Sequence, residues 1–321
     1  MICISIHFYT RHSWAFRILV TIVALVLTIA AQGQQVDDGY DDMMAAMIAA
    51  KIHQDSIDMS SLVAVYDYEC QTQDADGKAV TDKMKVCVQV GQHCTRSFPY
   101  RKFLKERERA ENRTLEFMEG YDFAGPEEIP LLRAESYCFI PEVWTDYPVG
   151  MTTLRDHIVP TIYETREVRK PINWTLTNDT MTVGDYLCKM ATCELHGRKW
   201  TVCYSEDIFT TAGPWKLSGL PGMILKAEAD GGIHRFTLAS IHRTTTPIYY
   251  ETSAITKKTT EEELIKNRIK TFCNSLYLND PRNYIADCSS ADKVYDIEGM
   301  LINGVYVNDK PHVFQPLELN E

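Results

Sequence analysis

Cysteine and histidine side chains are the best candidates for metal binding or catalysis in this 321-residue chain. Cys188, Cys193 and His196 fall within a nine-residue stretch, and thiolate and imidazole groups are ligands that zinc prefers. The close Cys-x2-Cys pair of a typical zinc motif is missing from this stretch. We therefore predict no bound metal and no cofactor, with these three residues as weak metal candidates only. The favoured interpretation is a structural cysteine pair followed by a histidine in a turn.

The same cysteines are candidates for nucleophilic catalysis. Cys188 precedes Lys189, whose positive charge would favour a thiolate. The sequence has no Gly-x-Ser-x-Gly motif, and its cysteines and histidines are too scattered to define a catalytic dyad. No glycine-rich phosphate loop opens a helix either. The sequence therefore predicts no catalytic residue, with a thiol- or metal-dependent secreted hydrolase as the alternative.

The N-terminus has the pattern of a secretory signal peptide. Arg11 and Arg17 precede an uncharged apolar run at 18–31, which small residues follow up to Gly33. The run is shorter than the ~20 residues that usually span a bilayer. We expect residues 1–33 to be cleaved near Gly33. No cysteine lies just after the run, so we do not expect a lipoprotein.

Cysteine usage agrees with export. Of the ten cysteines, cleavage would remove Cys3, and the remaining nine are more typical of an oxidising than of a reducing compartment. An odd number leaves at least one thiol without an intrachain partner. Connectivity cannot be read from the sequence. The candidate pairs are Cys70 with Cys87, Cys188 with Cys193, and Cys273 with Cys288.

The overall composition indicates a folded, acidic protein. Apolar residues make up 45% of the chain and charged residues 24%, which is ordinary for a globular protein. The formal net charge is −11. Nucleic acids and anionic lipids attract cationic surfaces, so neither is expected as the main partner.

Three regions follow from the patterning. Residues 1–33 are the signal peptide, residues 34–60 form an acidic segment and a helix with apolar residues at helical spacing from 43 to 59, and residues 61–321 form one β-rich domain. Strands are predicted at 62–70 and 84–90, joined by a turn at 74–77, and a short strand at 137–140. Segment 99–114 alternates charge and predicts a solvated surface helix.

The second half is more regular. It predicts strands at 174–181, 186–194, 199–205, 223–228 and 233–241, with turns at 178–179, 196–197 and 230–232 between them. These connections are too short for crossover helices, so the strands should pair antiparallel. A helix with Thr260 as its N-cap is predicted at 260–276, and a late strand at 303–307. The fold class is therefore α+β, a mostly antiparallel curved sheet with an N-terminal and a C-terminal helix packed on it.

The most distinctive motif is Gly219-Leu220-Pro221-Gly222. Proline followed by glycine is typical of a type II turn, because proline fixes φ and glycine takes the positive φ that the next position needs. Gly219 would allow a close approach of the backbone, and Leu220 would anchor the turn on the core. A rigid corner between strands is favoured over a ligand-binding loop.

This stretch resembles the signature of the GLPGLI family, exported proteins of Bacteroidota whose biochemical function is unsettled. The resemblance is carried by Trp174, Cys188-Lys189-Met190-Ala191-Thr192, Gly197-Arg198, Gly213-Pro214, Gly219-Leu220-Pro221-Gly222-Met223-Ile224 and the ending Phe314-Gln315-Pro316-Leu317-Glu318-Leu319. It is dense from 174 to 241 and sparse at the C-terminus. Cys203 and Phe209 depart from the family pattern, where tryptophan and proline are common, so the cysteine arrangement need not follow that of the family.

The resemblance implies a secreted, periplasmic or outer-membrane-associated protein, sometimes linked to TonB-dependent transport. We expect a non-catalytic binding or accessory protein whose partner is a TonB-dependent outer-membrane transporter, a small peptide or a metal complex. Trp144, Trp174, Trp200 and Trp215 could line a pocket, although core positions are favoured for each. Addition of a partner strand to a sheet edge is a second route to binding. A purely structural surface protein remains the third hypothesis.

Overall fold

The computed structural model describes residues 53–74, 76–111, 140–158, 161–253, 256–272, 293–295, 299–302, 305–308, 313 and 315–319. All of them belong to one compact unit that spans residues 50–321. The predicted signal peptide, the strand residues 137–139, Cys138, Cys273 and Cys288 lie outside the described residues. Among the described residues, no helix combines the length and the apolar character needed to cross a bilayer.

The described elements are mostly strands. Two short helices accompany them, α1 at Tyr100–Glu111 and α2 at Glu261–Phe272. The strands are β1 His53–Gln73, β2 Ala79–Gly91, β3 Thr95–Pro99, β4 Glu142–Thr145, β5 Met151–Ile158, β6 Thr161–Val168, β7 Thr175–Val183, β8 Tyr186–Leu195, β9 Arg198–Ser205, β10 Met223–Ala229, β11 His234–His242, β12 Thr246–Thr252, β13 Thr256–Lys258, β14 Lys293–Tyr295, β15 Gly299–Ile302 and β16 Val305–Asn308.

Thirteen strands form one sheet in the order β13-β6-β5-β4-β3-β2-β1-β11-β10-β9-β8-β7, and β12 pairs with β1 beside this path. The β13–β6 pair is parallel, and the other described pairs are antiparallel. Strands β14 to β16 form a separate sheet. The predicted large, mostly antiparallel sheet is therefore confirmed, with helices as a minor component.

The hairpin of β1 and β2 is built as predicted, but its register separates the predicted cysteine pair. The side chain of Asp74 accepts hydrogen bonds from the backbone N–H groups of Asp76 (3.0 Å) and Lys78 (2.9 Å), which closes a tight turn. The register then places Cys70 opposite Asp82 and Cys87 opposite Val65. The predicted Cys70–Cys87 bridge is wrong, because the turn fixes the register so that the two cysteines are not cross-strand neighbours.

The predicted N-terminal helix is wrong for residues 53–59, which belong to β1. Residues 53–60 pair antiparallel with β12, from His53 opposite Thr252 to Ser60 opposite Thr246. Long-range pairing overrides the local helical spacing here, as tertiary context often does. Residues 43–52 of that helix lie outside the described residues.

The five strands predicted in the second half are confirmed as β7 to β11. The turn predicted at 178–179 is wrong. These residues lie within β7, where three residues occupy the space between the pairs Leu176–Ala191 and Thr180–Lys189. They form a bulge, and the chain reverses instead at Gly184, whose φ is 57°.

Helix α1 is not the solvated helix that its charge pattern indicated. Phe103 and Glu106 are buried. The carboxylate of Glu106 accepts hydrogen bonds from both terminal nitrogens of Arg96 on β3, each at 2.9 Å. Two charged residues of this helix, Lys102 and Glu106, therefore form ion pairs that face the protein interior.

Helix α2 begins where it was predicted. The Thr260 hydroxyl accepts a hydrogen bond from the backbone N–H of Glu263 at 3.2 Å, which is N-capping geometry. Leu264 and Ile265 are buried. The guanidinium of Arg268 donates to Asp156 on β5, with 2.7 Å between Nε and Oδ2. These contacts pack α2 against the sheet.

A network of buried charges connects β3 to β4 and β12. The guanidinium of Arg96 is fully buried, lies 3.8 Å from the ring centroid of Phe98 and donates to Glu142 at 2.7 Å. The ammonium of Lys102 binds Glu142 as well, and binds Glu251 at 2.9 Å. Buried ions are tolerated only when they are paired. The network therefore fixes how α1 and β12 lie on the sheet.

We expect Arg96→Met to lower the free energy of unfolding by about 3–5 kcal/mol, because Glu106 loses its buried cation and Glu142 loses one of its cationic partners. The control is Lys85→Met, which removes an exposed pair with Asp67 whose side chains are 52% and 56% exposed. That pair should contribute less than about 1 kcal/mol. Urea denaturation measures both values, and equal losses would contradict the assigned role of Arg96.

Candidate functional site

The signature segment, Gly213 to Gly222, connects β9 to β10 and folds into the large core. Trp215, Leu217 and Leu220 are each at most 2% exposed. The backbone N–H of Trp215 donates to the Ser97 hydroxyl at 2.8 Å, which ties the segment to β3. The predicted corner between strands is therefore present, with Leu220 buried as expected.

The turn itself differs from the prediction. The backbone N–H of Gly222 donates to the Leu220 carbonyl at 2.8 Å, which closes a three-residue turn around Pro221 instead of a type II turn. Gly219 has a φ of 97°, and a Cβ there would meet only Trp174, at 3.8 Å. A Cβ on Gly222 would lie 2.2 Å from the Ser205 carbonyl oxygen. Within this turn, Gly222 and not Gly219 is thus the glycine that permits a close backbone approach.

The C-terminal residues close over the same corner. Arg198 donates to the carbonyl of Pro316, at 3.1 Å from Nε. The backbone N–H of Leu319 donates to the His196 carbonyl at 2.9 Å. Gly197 has a φ of 73°, and a Cβ on it would lie 2.9 Å from the Cβ of Leu319. Several motif residues that carry the family resemblance therefore meet in space and hold one another.

His234 on β11 completes this anchor. Its Nε2 lies 3.1 Å from the Pro316 carbonyl, and its Nδ1 lies 2.8 Å from the Tyr68 hydroxyl. A carbonyl only accepts, so Nε2 carries the proton and Nδ1 accepts from Tyr68. Burial, helped by the positive charge of Arg198, lowers the pKa of His234 to about 3. The imidazole is therefore neutral at physiological pH.

Lys216 of the signature segment is the centre of a charged cluster. Its ammonium lies 2.9 Å from a carboxylate oxygen of Glu167, 3.1 Å from Glu261 and 2.8 Å from Glu318. Nε2 of His196 is 3.3 Å away. The Lys216 side chain is 5% exposed. We call these five residues the Lys216 cluster.

The Lys216 cluster contains the described group with metal-ligand geometry. One ligand atom each from Glu167, His196 and Glu261 lie within 4.8 Å of one another. The ammonium of Lys216 contacts both carboxylates and the imidazole at hydrogen-bonding distance, so it already supplies the cation that these groups attract. The cluster is thus an internal ion-pair site, and it does not include Cys188 or Cys193.

The cysteines are placed for packing. The six described cysteines are buried and unbridged. Cys188 and Cys193 lie on one strand, roughly 16 Å apart at the usual rise per residue, whereas a disulfide needs Cα atoms within about 7 Å. The predicted Cys188–Cys193 bridge is therefore wrong. Burial raises the pKa of Cys188 to about 11 and that of Cys193 to about 12, so neither is a thiolate at neutral pH.

The four tryptophans do not form a common pocket. Trp200 and Trp215 lie in the large core with 5.4 Å between their ring centroids. Trp144 lies in a separate cluster and donates to the Tyr249 carbonyl at 2.9 Å. Trp174 is half-buried and donates to the carbonyl of Ser218 at 3.0 Å. The core interpretation favoured for these residues holds for Trp144, Trp200 and Trp215.

Strand β7 follows Trp174 directly and ends the described sheet. Its residues, Thr175–Val183, are exposed or half-buried up to Val183, which is buried. One side of β7 pairs with β8, and no described strand pairs with the other. Leu176 and Met181 are 60% and 38% exposed. We call the outer backbone of this strand the β7 edge.

Comparisons with known proteins leave the family open. No family model matches the chain, and no curated protein matches it. It is similar to solved structures of PNGF-II in two crystal forms, with 13% identity and a TM-score of 0.39 over 74% of this chain and 36% of that one, and 14% and 0.36 over 65% and 33%. The chain spans about a third of the length of those chains. The resemblance to the GLPGLI family stays a prediction.

Sequence reasoning missed the members of the Lys216 cluster other than His196. Lys216 carried a signal, because it is a lone cation between the apolar residues Trp215 and Leu217. Glu261 was visible only as an acidic residue in the first turn of α2. Glu318 was visible only as part of the C-terminal motif. Their convergence depends on contacts between distant segments.

Gly222→Ala should lower the free energy of unfolding by about 2–3 kcal/mol, since the new Cβ meets backbone that cannot rotate away. At Gly184 a Cβ would meet nothing within 4 Å, so Gly184→Ala should cost only the left-handed backbone penalty of about 1 kcal/mol. Thermal and urea denaturation compare the two variants. A smaller loss at Gly222 would show that the close approach to Ser205 is unimportant.

His234 should make the fold sensitive to acid. Its pKa is about 3 when folded and about 6.5 when unfolded, so the unfolded chain takes up a proton first as pH falls through that window. Between pH 7 and pH 5, the stability of the native protein should drop by about 2 kcal/mol relative to His234→Gln. Urea denaturation at both pH values tests this. A pH-independent difference between the two proteins would contradict a neutral, buried His234.

Proposed function

We propose that this chain is an exported, non-catalytic binding protein of the cell envelope, and that it binds its partner through the β7 edge. The observation that carries the proposal is the unpaired side of β7 in the described sheet. Unpaired backbone N–H and C=O groups at a sheet edge are a template for another strand. Adding a strand gives main-chain hydrogen bonds with little rearrangement of the binding protein.

The signature corner supports this role by holding the edge in place. Trp174 immediately precedes β7, and its indole donates to Ser218 within the signature segment. Strand β8 then joins β7 to β9, β10 and the core. The motif thus shapes the binding edge without forming it. We also propose that the sheet is curved, as the sequence predicts.

The proposed compartment rests on the signal-peptide pattern and the family resemblance, and the proposed partner class rests on the resemblance. The signal-peptide pattern and the GLPGLI resemblance favour the periplasm or the outer membrane of a Bacteroidota cell. The same resemblance favours an outer-membrane transport component, such as a TonB-dependent transporter, as the partner. A thiol-dependent hydrolase would need an activated cysteine, and burial that raises the pKa of Cys188 to about 11 works against that alternative.

The test is capture of envelope proteins from a mild-detergent extract of the native membrane by the purified mature chain. The edge variant is the double substitution Leu176→Lys and Met181→Lys, because lysine on an edge strand discourages pairing. Both side chains are at least 38% exposed, so the fold should be retained. We expect about tenfold less captured transporter component, equivalent to about 1.4 kcal/mol of binding free energy.

The matched control is Leu104→Lys on α1, where the leucine is 44% exposed. It adds one exposed lysine in place of an apolar residue away from the β7 edge and should leave capture unchanged. Equal capture by the native chain and the edge variant would reject the edge as the binding surface. Absence of any captured envelope protein would count against the proposed function as a whole.

A further inference from the structure

We infer that the β7 edge takes an extended peptide segment that is basic and carries apolar residues. The inference rests on the proposed function and names the chemistry of the partner. It uses the charges around β7, the faces of its side chains and the bulge in the middle of the strand.

The charge along the edge is acidic. Strand β7 carries Asp179 and no lysine or arginine, and the turn after it carries Asp185. The nearest cation on β8, Lys189, is held by both carboxylate oxygens of Glu206 at 2.9 and 2.8 Å. The chain as a whole has a formal net charge of −11. A strand with lysine or arginine is attracted to such an edge, and like charges opposite one another are unfavourable.

Leu176 and Met181, the exposed apolar residues of β7, lie on opposite faces of the sheet. Leu176 lies opposite Ala191, and Met181 lies opposite Cys188, both of which are buried on β8. The sulfur of Met181 is 3.8 Å from that of Cys203. Side chains alternate between the two faces of a strand. A partner strand would therefore meet an apolar side chain of β7 on either face, Leu176 on one and Met181 on the other.

A second copy of this chain fits the edge poorly. Two β7 strands paired antiparallel about a central two-fold axis would bring Asp179 close to the same carboxylate of the other copy. The bulge at residues 177–179 would also meet its own equivalent there, where the ladder is irregular. Bulges and charges protect sheet edges from such self-pairing. Both features disfavour pairing with β7 of a second copy. They disfavour less a straight partner strand that places a basic residue opposite Asp179.

The experiment measures binding of fluorescein-labelled nine-residue peptides to the full mature chain by fluorescence anisotropy. The basic peptide alternates valine with lysine, its acidic twin alternates valine with glutamate, and a third has proline in place of the central residues. We expect the basic peptide to bind at least about tenfold more tightly than the acidic twin. The proline peptide should not bind, because it cannot donate to the ladder.

Asp179→Asn should reduce the preference for the basic peptide about threefold or more, whereas Glu262→Gln, the same change in charge on α2, should leave it unchanged. Circular dichroism confirms that both variants fold. Equal binding of basic and acidic peptides would overturn the inferred partner chemistry. The inferred partner chemistry would also be overturned if the native chain sedimented as a dimer and the edge variant as a monomer.

The two proposals can fail separately. If neither peptide binds but the capture of envelope proteins still depends on Leu176 and Met181, the proposed function stands and the inferred partner chemistry fails. If the basic peptide binds the edge variant as well as the native chain, the β7 edge is not the site, and both proposals fail. If the basic peptide binds the native chain, the edge variant loses it and Asp179→Asn weakens the preference for it, both proposals are supported.

Discussion

The buried ammonium of Lys216 is the constraint on which the signature corner depends. An ion removed from water must be paired, and removing one partner of a buried pair costs several kcal/mol. Its carboxylate partners come from the end of β6, the start of α2 and the C-terminal segment, at Glu167, Glu261 and Glu318. One cation therefore holds three segments that are far apart in the chain.

This constraint explains why so many of the motif residues are needed together. Lys216 can reach its partners only because Trp215 packs on Trp200, and because Gly222 lets the segment pass close to Ser205. The C-terminal residues stay in reach because Arg198 binds the Pro316 carbonyl. Each motif residue supports the geometry of another, so the motif describes a packing unit more than a reactive site.

How well each part of the fold could be predicted depends on how far apart in the sequence its interacting residues lie. Strands β7 to β11 and the start of α2 were predictable, because short turns and the Thr260 cap act between neighbours in sequence. The register that pairs Cys87 with Val65 is also fixed by a local turn. The distance of each cysteine from that turn along the sequence could therefore have excluded the Cys70–Cys87 pair. The first part of β1 was not predictable, because its partner β12 lies almost two hundred residues away. The Lys216 cluster stayed hidden for the same reason.

The long unpaired edge of β7 is a feature that the stability of the fold does not explain. The other end of the main sheet is β13, three residues long with exposed Lys257 and Lys258, a form that discourages further pairing. Strand β7 is nine residues long and carries threonines, Leu176 and Met181 in their place. A bulge and a single Asp179 protect it only in the middle. The two end strands of the sheet thus differ in how well they are protected from pairing with another strand. The less protected one is β7, which the signature corner anchors through Trp174. That difference favours β7 as a surface kept available for a partner.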